Sequence, residues 1–194
     1  MEAAVLSEPS EDTQARVMAT LVSAFRADPV ERWLYPTNRE YELNFPAFLA
    51  AFGGLAFRLG TAWQLDDCSA VALWLPPNVE PDGEAITTVL LETVTSAKHA
   101  DTVSVLDRMD AAHPRHPHWY LPWFGVDARM QGRGLGSKLM TACLAAVDAA
   151  GLPAYLETPN PKTIRFYERH GFVVTGGATV GECPPMTFML RPAR

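Results

Sequence analysis

Val126-Asp127-Ala128-Arg129-Met130-Gln131-Gly132-Arg133-Gly134-Leu135-Gly136-Ser137-Lys138-Leu139 places the end of a strand, a glycine loop and the start of a helix in succession. The residues before it, 119–126, are aromatic and apolar with small breakers among them, which predicts a buried strand with a bulge near Phe124 to Val126. The apolar residues after it recur at helical spacing: Leu135, Leu139, Cys143, Ala146 and Val147. Glycines at alternate positions leave successive backbone N–H groups free to converge on an anion at the positive end of the helix. The stretch therefore predicts a phosphate-binding loop.

The spacing of these glycines excludes the two commonest phosphate motifs. A P-loop would need its second glycine where Ser137 stands, and a dinucleotide fingerprint would need its third glycine at Ser137 or Leu139. The pattern that remains is Gln131-x-x-Gly134-x-Gly136.

That pattern resembles the acyl-coenzyme A pyrophosphate loop of the GCN5-related N-acetyltransferase (GNAT) family. Downstream, Asn160 is followed seven residues later by Tyr167 and then by Gly171-Phe172, which is similar to the second motif of that family. The resemblance covers mainly residues 117–175. It implies an α/β fold with a mixed, mostly antiparallel sheet and helices on both faces, and acetyl-coenzyme A as the cosubstrate without a metal.

A closer similarity extends beyond these two motifs. Residues 70–77, 116–121, 156–158 and 166–172 resemble the puromycin N-acetyltransferase group. The N-terminal half, where acceptor specificity is set, is too loosely similar to carry a substrate across. The acceptor amine and the acyl length are therefore left open by the sequence.

Length and composition describe one ordinary globular domain. The chain has 194 residues, 48% of them hydrophobic, and a formal net charge of −6, so we expect a single domain over residues 1–194 with neither a nucleic-acid nor an anionic-membrane partner. No apolar run approaches the length of a bilayer span, and Met1-Glu2-Ala3 lacks the basic region of a signal peptide. We expect a cytoplasmic protein with its three cysteines reduced, and a homodimer is one assembly open to it.

The N-terminal half predicts a helical layer over the first strands. Residues 3–6 predict a strand and Ser10 a helix start, and Asp28-Pro29 ends that helix. The apolar residues between 45 and 59 predict one long helix closed by Gly60. Its aromatic side chains favour burial against the sheet over an acceptor pocket. Trp33 and Tyr35, in the irregular segment between the helices, are the better candidates for acceptor contacts.

A hairpin and a helical insertion follow. Residues 61–65 and 70–75 predict two strands joined at the turn Asp66-Asp67-Cys68-Ser69. Residues 82–112 keep apolar stripes that predict a helical insertion, which we expect to cover the acceptor side of the site. Beyond the glycine loop, strands are predicted near residues 154–157, 172–175 and 186–190, with a helix near Pro161 to His170.

Amine acetylation needs three groups, and the chain offers a candidate for each. The attacking amine must lose a proton, the carbonyl oxygen must be stabilised as it gains charge, and the thiolate must leave. A backbone N–H freed by the bulge near Phe124 to Val126 can polarise the carbonyl, and Tyr167 can protonate the thiolate. Glu157 is the first candidate for the base, against a structural role, and His118 is the reserve.

The expected contacts with acetyl-coenzyme A follow from the resemblance. They are Phe124, Gly125, Val126, Gln131, Gly132, Arg133, Gly134, Leu135, Gly136, Ser137 and Asn160. Arg133 can assist the phosphates or lie on a solvated helix face, and Asn160 can bind the pantetheine arm or cap the next helix. His113, His116 and His118 suggest a metal site, but a polar loop is favoured because no carboxylate or cysteine accompanies them.

The favoured function is transfer of an acetyl group from acetyl-coenzyme A to a primary amine of a small molecule, by direct attack in a ternary complex. One alternative is a coenzyme A-binding sensor or accessory protein on the same fold. Another is acetylation of a protein N-terminus or lysine, which an open acidic groove would favour and a helix-covered pocket would disfavour.

Overall fold

The computed structural model describes residues 2–65 and 67–194, so Met1 and the first residue of the turn at Asp66 lie outside the described residues. The strands are β1 (Ala3–Leu6), β2 (Ala62–Leu65), β3 (Ala70–Leu75), β4 (Trp119–Val126), β5 (Ala154–Thr158), β6 (Val173–Val180) and β7 (Cys183–Arg191). The helices are α1 (Glu11–Phe25), α2 (Pro29–Leu34), α3 (Asn38–Gly53), α4 (Leu55–Arg58), α5 (Gly83–Thr93), α6 (His99–Ala112), α7 (Leu135–Ala149) and α8 (Pro161–Arg169).

The strands form one mixed sheet in the order β1-β2-β3-β4-β5-β7-β6. Every neighbouring pair is antiparallel except β4 and β5, as the sequence predicts for the sheet as a whole. The parallel pairing of β4 with β5 joins Trp119 to Ala154 and Tyr120 to Tyr155. Beyond Tyr120 the two strands separate, while β5 stays paired with β7 as far as Thr158. The sheet therefore opens into a cleft at its centre.

The predicted bulge in β4 exists, but its expected position near Phe124 to Val126 is wrong. Leu73 pairs with Trp123 and Leu75 with Tyr120, so the extra residue of β4 lies at Leu121 and Pro122. Proline has no backbone N–H to offer. The free N–H groups of β4 arise instead from the separation of β4 and β5, because alternate N–H groups beyond Tyr120 point toward the missing partner.

Helices cover both faces of the sheet, as expected. Helix α7 packs across β1 to β4 on one face, and α1 and α3 pack on the other. On the α3 face, Trp123 lies at the centre of an aromatic cluster formed by Phe25, Phe45, Phe48 and Phe52. Its indole Nε1 donates to the Leu49 carbonyl at 3.2 Å, which fixes the ring between helix and sheet.

The single helix predicted up to residue 59 is instead two helices. Helix α3 ends at Gly53, and the four-residue α4 follows after Gly54. A Cβ atom at Gly53 would lie 2.3 Å from Cδ1 of Trp123, so the helix can pass this close to the indole only with glycine there. The periodicity of the apolar residues does not reveal this close approach of α3 to the sheet.

The segment between α1 and α3 is a short, well-capped helix. The Asp28 carboxylate accepts the backbone N–H groups of Val30 and Glu31 at 3.0 and 3.4 Å, and Pro29 occupies the first helical position. This combination is typical of helix starts, because the carboxylate satisfies N–H groups that have no intrahelical partner. Helix α2, which this cap starts, packs against β7.

Helices α5 and α6 lie within residues 82–112, where the apolar stripes predict helices; that they are an insertion stays a prediction. Helix α5 packs on α3, and α6 packs on β6 and β7. Together they cover the side of the sheet on which α2 lies. Within residues 2–65 and 67–194, no helix is both long enough and apolar enough to cross a membrane.

Candidate active site

A cavity of about 830 Å³ runs through the cleft between β4 and β5. One end, here called the cofactor end, is lined by residues of 124–137 and 160–169; the other, the acceptor end, is lined by residues of 24–34, 90–109 and 183–186. Glu157 and Tyr167 lie in the wall of the same cavity. The glycine loop and the helical cover of α5 and α6 therefore face one continuous space.

Backbone geometry dominates the cofactor end. Gly132 and Gly134 adopt left-handed conformations with φ of 76° and 78°, although a Cβ atom at either would meet nothing within 4 Å. Their role is therefore conformational, since non-glycine residues rarely adopt positive φ. Gly134 is the N-cap of α7, so the first N–H groups of this 15-residue helix point into the loop without helical partners. This arrangement can hold a diphosphate.

Most of the residues expected to contact acetyl-coenzyme A line the cavity, and one does not. The lining set is Phe124, Gly125, Val126, Gln131, Gly132, Gly134, Leu135, Gly136, Ser137 and Asn160. Arg133 is exposed and does not belong to the lining, which favours the solvated-surface interpretation. Two basic residues that the sequence did not suggest, Lys162 and Arg169 on α8, do line this end. Both residues lie within the second motif, and this position is the sequence feature that could have indicated them.

Asn160 is a helix cap in this structure. Its side-chain oxygen accepts the Lys162 N–H at 3.1 Å, and it precedes Pro161 at the first position of α8. The Thr158 hydroxyl accepts the Asn160 N–H at 3.3 Å. Capping is thus one of the two roles expected for Asn160, and it starts the helix that carries Tyr167.

Tyr167 is buried in the wall of the cavity, with 8% of its surface exposed. Burial raises its pKa well above the usual value, and the negative charge of Asp28 raises it further. The hydroxyl therefore stays protonated at all physiological pH values. It can donate a hydrogen bond to a departing thiolate, and full proton transfer depends on the thiolate being desolvated as well.

Glu157 projects from β5 into the cavity, and its side chain is 4% exposed. One of its carboxylate oxygens, Oε1, has no hydrogen-bond partner among the described residues and lies 3.8 Å from Nδ1 of His113. The rings of Tyr120 and Tyr155 pack against His113 beside this carboxylate. Burial raises the pKa of both tyrosine hydroxyls, and the charge of Glu157 raises it further. A carboxylate in this setting is free to accept a proton from a ligand.

Glu157, His113 and His118 form a row of neighbouring side chains, each close to the next. Nδ1 of His118 lies 2.8 Å from the carbonyl oxygen of His116, so this nitrogen carries a hydrogen and Nε2 of the neutral ring is an acceptor. Nε2 of His113 is 2.9 Å from that acceptor and must be the donor. Nδ1 of neutral His113 is then unprotonated and faces Glu157. A proton taken by Glu157 has a path through His113 to His118.

The histidine segment is a loop that leads into β4, as expected, but two of its side chains, His113 and His118, are packed against neighbouring residues. His118 is buried, and burial lowers its pKa, which keeps the ring neutral near pH 7. His113 packs edge-on against Tyr120 and Tyr155. Within the described ranges, 2–65 and 67–194, no group of three or more His, Cys, Asp or Glu side chains is arranged to hold a metal ion.

Two carboxylates that the sequence did not suggest as site residues line the acceptor end. Asp28 and Glu31 are 6% and 4% exposed. Burial raises the pKa of Asp28 to about 6, and burial followed by the charge of Asp28 raises that of Glu31 well above its usual value. The sequence offered only Asp-Pro as a helix boundary, because the burial of these groups depends on tertiary packing, in which α2 contacts β7, far away in the chain.

The rest of the acceptor end is aromatic and apolar. Trp33 lines it as expected, together with Phe48 and Phe52 of α3. Tyr35 does not belong to the lining, because its hydroxyl lies 2.9 Å from that of Thr93 in the packing between α2 and α5. The α3 aromatic side chains therefore serve both as core and as cavity wall, where the sequence favoured core alone.

Comparison with known proteins agrees with this geometry. The model of the Acetyltransferase (GNAT) family matches residues 37–172, more than half of the chain. An uncharacterised N-acetyltransferase of Schizosaccharomyces pombe is 27% identical over 180 residues, covering 81% of this chain and 70% of its own length.

Solved structures show the same fold. A Corynebacterium glutamicum structure described as histone acetyltransferase HPA2 and related acetyltransferase superposes with a TM-score of 0.67 at 23% identity, covering 100% of this chain and 98% of its own. Arylalkylamine N-acetyltransferase 2 from Aedes aegypti gives 0.65 at 13% identity, covering 100% and 99%. These likenesses confirm the predicted fold class, while the similarity to the puromycin N-acetyltransferase group stays a prediction.

Proposed function

The chain belongs to the acetyltransferase (GNAT) family and is an acyltransferase, and on that premise we propose that it moves the acetyl group of acetyl-coenzyme A to a primary amine of a small molecule. The observation that carries the proposal is the single cavity joining the glycine loop to a chamber covered by α5 and α6. Such a chamber suits a small acceptor, since a protein tail needs an open groove.

The cofactor end provides what acetyl-coenzyme A requires. The diphosphate would accept N–H groups from the loop at Gly132 to Gly136 and from the first turn of α7. The basic side chains of Lys162 and Arg169 line the same end and can balance phosphate charge. The pantetheine arm would then lie between the separated β4 and β5, where it replaces the missing strand pairing.

The chemical step assigns one group to each requirement. The neutral amine nitrogen forms a bond to the acetyl carbon, and the carbonyl oxygen gains charge that the free N–H groups of β4 beyond Tyr120 stabilise. The C–S bond then breaks and the sulfur leaves as thiolate. Tyr167 donates a hydrogen bond or its proton to that thiolate.

Glu157 takes the proton that the amine nitrogen loses, directly or through water. Glu157 lines the cavity, and its unpartnered Oε1 lies 3.8 Å from Nδ1 of His113, which can receive the proton onward. His118 completes the path, so it acts behind Glu157 and not on the amine itself. The presence of both Glu157 and Tyr167 in the cavity wall favours catalysis over the alternative of a coenzyme A-binding sensor.

A cytoplasmic location is part of the same proposal. Its support is that all three cysteines are buried as free thiols, as expected of a reducing compartment. Acetyl-coenzyme A as cosubstrate, without a metal, is also part of the proposal, and the family and the geometry of the glycine loop support the cosubstrate.

The test is thiol release from acetyl-coenzyme A with a panel of aliphatic, aromatic and aminonucleoside amines. We expect release with at least one amine, and Tyr167→Phe to lower kcat by roughly 10²–10⁴-fold. Tyr41→Phe is the matched control, because it removes another buried hydroxyl, bound to the Val22 carbonyl at 2.8 Å outside the cavity. Tight coenzyme A binding with no thiol release from any amine would overturn transfer to a small molecule.

A further inference from the structure

We propose that Glu31 and Thr102 form a subsite at the acceptor end for a second cationic group of the substrate, so that the acceptor is a diamine: a primary amine that reacts, joined by an apolar spacer to another protonated nitrogen. This inference rests on the proposed acetyl transfer and specifies its substrate class. Both side chains line the cavity, and each is 4% exposed.

Neither polar group has its hydrogen-bonding capacity used by the protein. Oε2 of Glu31 and Oγ1 of Thr102 are buried without hydrogen-bond partners in the described part of the chain. Buried polar groups are normally paired, because an unpaired one loses its hydration without compensation. Two such groups lining one cavity indicate that a ligand supplies the partner.

Helix capping does not account for Glu31. Asp28-Pro29-Val30-Glu31 has the spacing of a capping box, in which the carboxylate of Glu31 would accept the N–H of Asp28. That N–H instead donates to the Phe25 carbonyl at 2.9 Å. The cap is made by Asp28 alone.

The nearby cationic side chains are engaged elsewhere. The Lys98 ammonium donates to the Trp33 carbonyl and lies 5.4 Å from the centre of the Trp33 ring. The Arg32 guanidinium donates to the Pro36 carbonyl through Nη2 and lies 5.6 Å from the centre of the Tyr41 ring, while its Nη1 is buried without a partner in the described part of the chain. No ion pair of Glu31 or Asp28 occurs within residues 2–65 and 67–194. A cation for this end must come from outside the chain.

The helices that carry Glu31 and Thr102, α2 and α6, both pack against β7. Cys183 lines the same cavity, and its thiol senses the charges of both Glu31 and Asp101, the residue before Thr102. The Asp101 carboxylate also accepts the Glu182 N–H at 3.2 Å, which seats α6 beside that end of β7.

The subsite is separate from the reacting groups. Besides burial, the charge of Asp28 raises the pKa of Tyr167, whereas the charges of Asp101 and Glu31 raise the pKa of Cys183. The wall beside it is apolar: Leu34, Leu90, Val105, Leu106 and Met109. A hydrocarbon spacer fits this wall, with its reactive amine toward Glu157 and its second ammonium at Glu31.

Binding of a dication should release a proton. The ionisable groups facing Glu31 are Asp28, Tyr35, Tyr41 and Cys183, and none of them is a cation. The empty subsite therefore favours protonated Glu31, and an ammonium ion bound there lowers the carboxyl pKa and expels its proton.

The experiment compares pentane-1,5-diamine with hexan-1-amine, in which a methyl group replaces the second ammonium. Calorimetric titration of the coenzyme A-saturated protein, in buffers of different ionisation enthalpy, measures affinity and proton release without requiring turnover. We expect the diamine to bind about tenfold or more tightly and to release protons. Glu31→Gln should remove both the preference and the release, and Thr102→Val should weaken the preference.

Glu92→Gln is the matched control, because it removes the same charge from an exposed site on α5. Equal affinity of the two amines for the natural protein would overturn the inference, as would a preference that survives Glu31→Gln. Thermal unfolding confirms that each variant is folded; Gln is isosteric and removes a buried acid, so loss of folding is not expected. Acetyl transfer without diamine preference would refute only the subsite, whereas Glu31-dependent diamine binding without transfer would refute only the enzymatic step.

Discussion

The cofactor end and the acceptor end of the cavity are built from different materials. At the cofactor end, backbone N–H groups from a few consecutive residues, 132–137, surround the space. At the acceptor end, side chains of α2, α3, α6 and β7 meet from distant parts of the chain. A backbone site recognises a shape and charge common to all members of the family, whereas a side-chain site can change with single substitutions. The difference explains why one end can be read from a motif and the other cannot.

The largest expected effect is at the junction of the two ends. Glu157→Gln removes the proposed base and should lower kcat by roughly 10²–10⁴-fold, while leaving coenzyme A affinity unchanged. Steady-state kinetics and coenzyme A titration measure the two quantities separately. Glu168→Gln on the exposed face of α8 is the control. Equal losses of kcat in the two variants would deny Glu157 this role.

A substitution in the glycine loop at the cofactor end should instead lower coenzyme A affinity. Gly134→Val forces a β-branched residue to φ of 78°, where the strain is about 1–3 kcal/mol. Because relief of the strain moves the N–H groups of the loop, coenzyme A affinity should fall by roughly tenfold to a hundredfold. Calorimetry measures it, with Gly83→Ala, at a glycine without positive φ, as control. Unchanged affinity would remove the loop from the binding site.

A buried ion pair joins α7, the helix that follows the glycine loop, to β7. Its removal tests the stability of the fold alone. Arg191, 2% exposed, donates to Asp148 through two nitrogens at 2.5 and 2.9 Å. Asp148→Asn leaves the arginine charge uncompensated, and because the carboxylate is 33% exposed we expect a loss of about 2 kcal/mol, below the usual range for buried pairs. Urea unfolding measures it.

The same pair predicts a dependence on pH. Its hydrogen bond to Arg191 lowers the pKa of Asp148, so this stabilisation is fully present above the unfolded pKa of about 3.9 and is lost as the pH falls through the lower folded value. In Asp148→Asn, the free energy of unfolding should depend less on pH below about pH 4. An unchanged pH dependence would mean that other carboxylates dominate it.

A smaller effect is expected from the histidine chain behind Glu157. His118→Gln keeps a polar side chain but interrupts the path, and a lost hydrogen bond of about 1 kcal/mol corresponds to about fivefold in kcat. Burial lowers the His118 pKa, so in the natural protein this ring stays neutral, and the path open, until the pH falls below about 6.5. The pH profile of kcat should lose that acid limb in the variant. An identical profile would exclude His118 from the path.

The smallest effect should come from Arg133, whose position the motif suggested and the structure turns outward. Arg133→Gln should change coenzyme A affinity by less than about threefold, through long-range attraction that salt screens. Lys162→Gln, at a residue lining the cavity, should lower it more. The two affinities measured at low and high ionic strength rank the contributions, and a larger loss at Arg133 would reverse the assignment.

Sequence reasoning was reliable where the information is local. The glycine loop, the start of α7, the Asn160 cap and the hairpin of β2 and β3 each depend on a few consecutive residues. Helices α5 and α6 were predictable from their apolar stripes. The mistaken elements were those in which a distant group decides: α3 ends where Trp123 of β4 packs against Gly53, and the bulge of β4 depends on its register with β3.

The same division holds in the candidate site. Tyr167 was suggested by its spacing to Asn160 in the second motif and Glu157 by its place at the end of a predicted strand, and both line the cavity. Asp28, Glu31 and Thr102 carried no sequence signal, because an acid at a helix start is usually a cap. Their burial, without which they would be ordinary surface groups, depends on the packing of α2 and α6 against β7.

The sequence by itself determined the family, the sheet-and-helix order and the glycine loop, since positive φ, helix starts and apolar periodicity are properties of neighbouring residues. Only the tertiary structure decided which acids are buried, which histidines touch and where β4 leaves β5. The physical reason is that desolvation and hydrogen bonding between side chains depend on distances across the fold. The cofactor end is therefore largely encoded in neighbouring residues, whereas the acceptor end depends on packing across the fold.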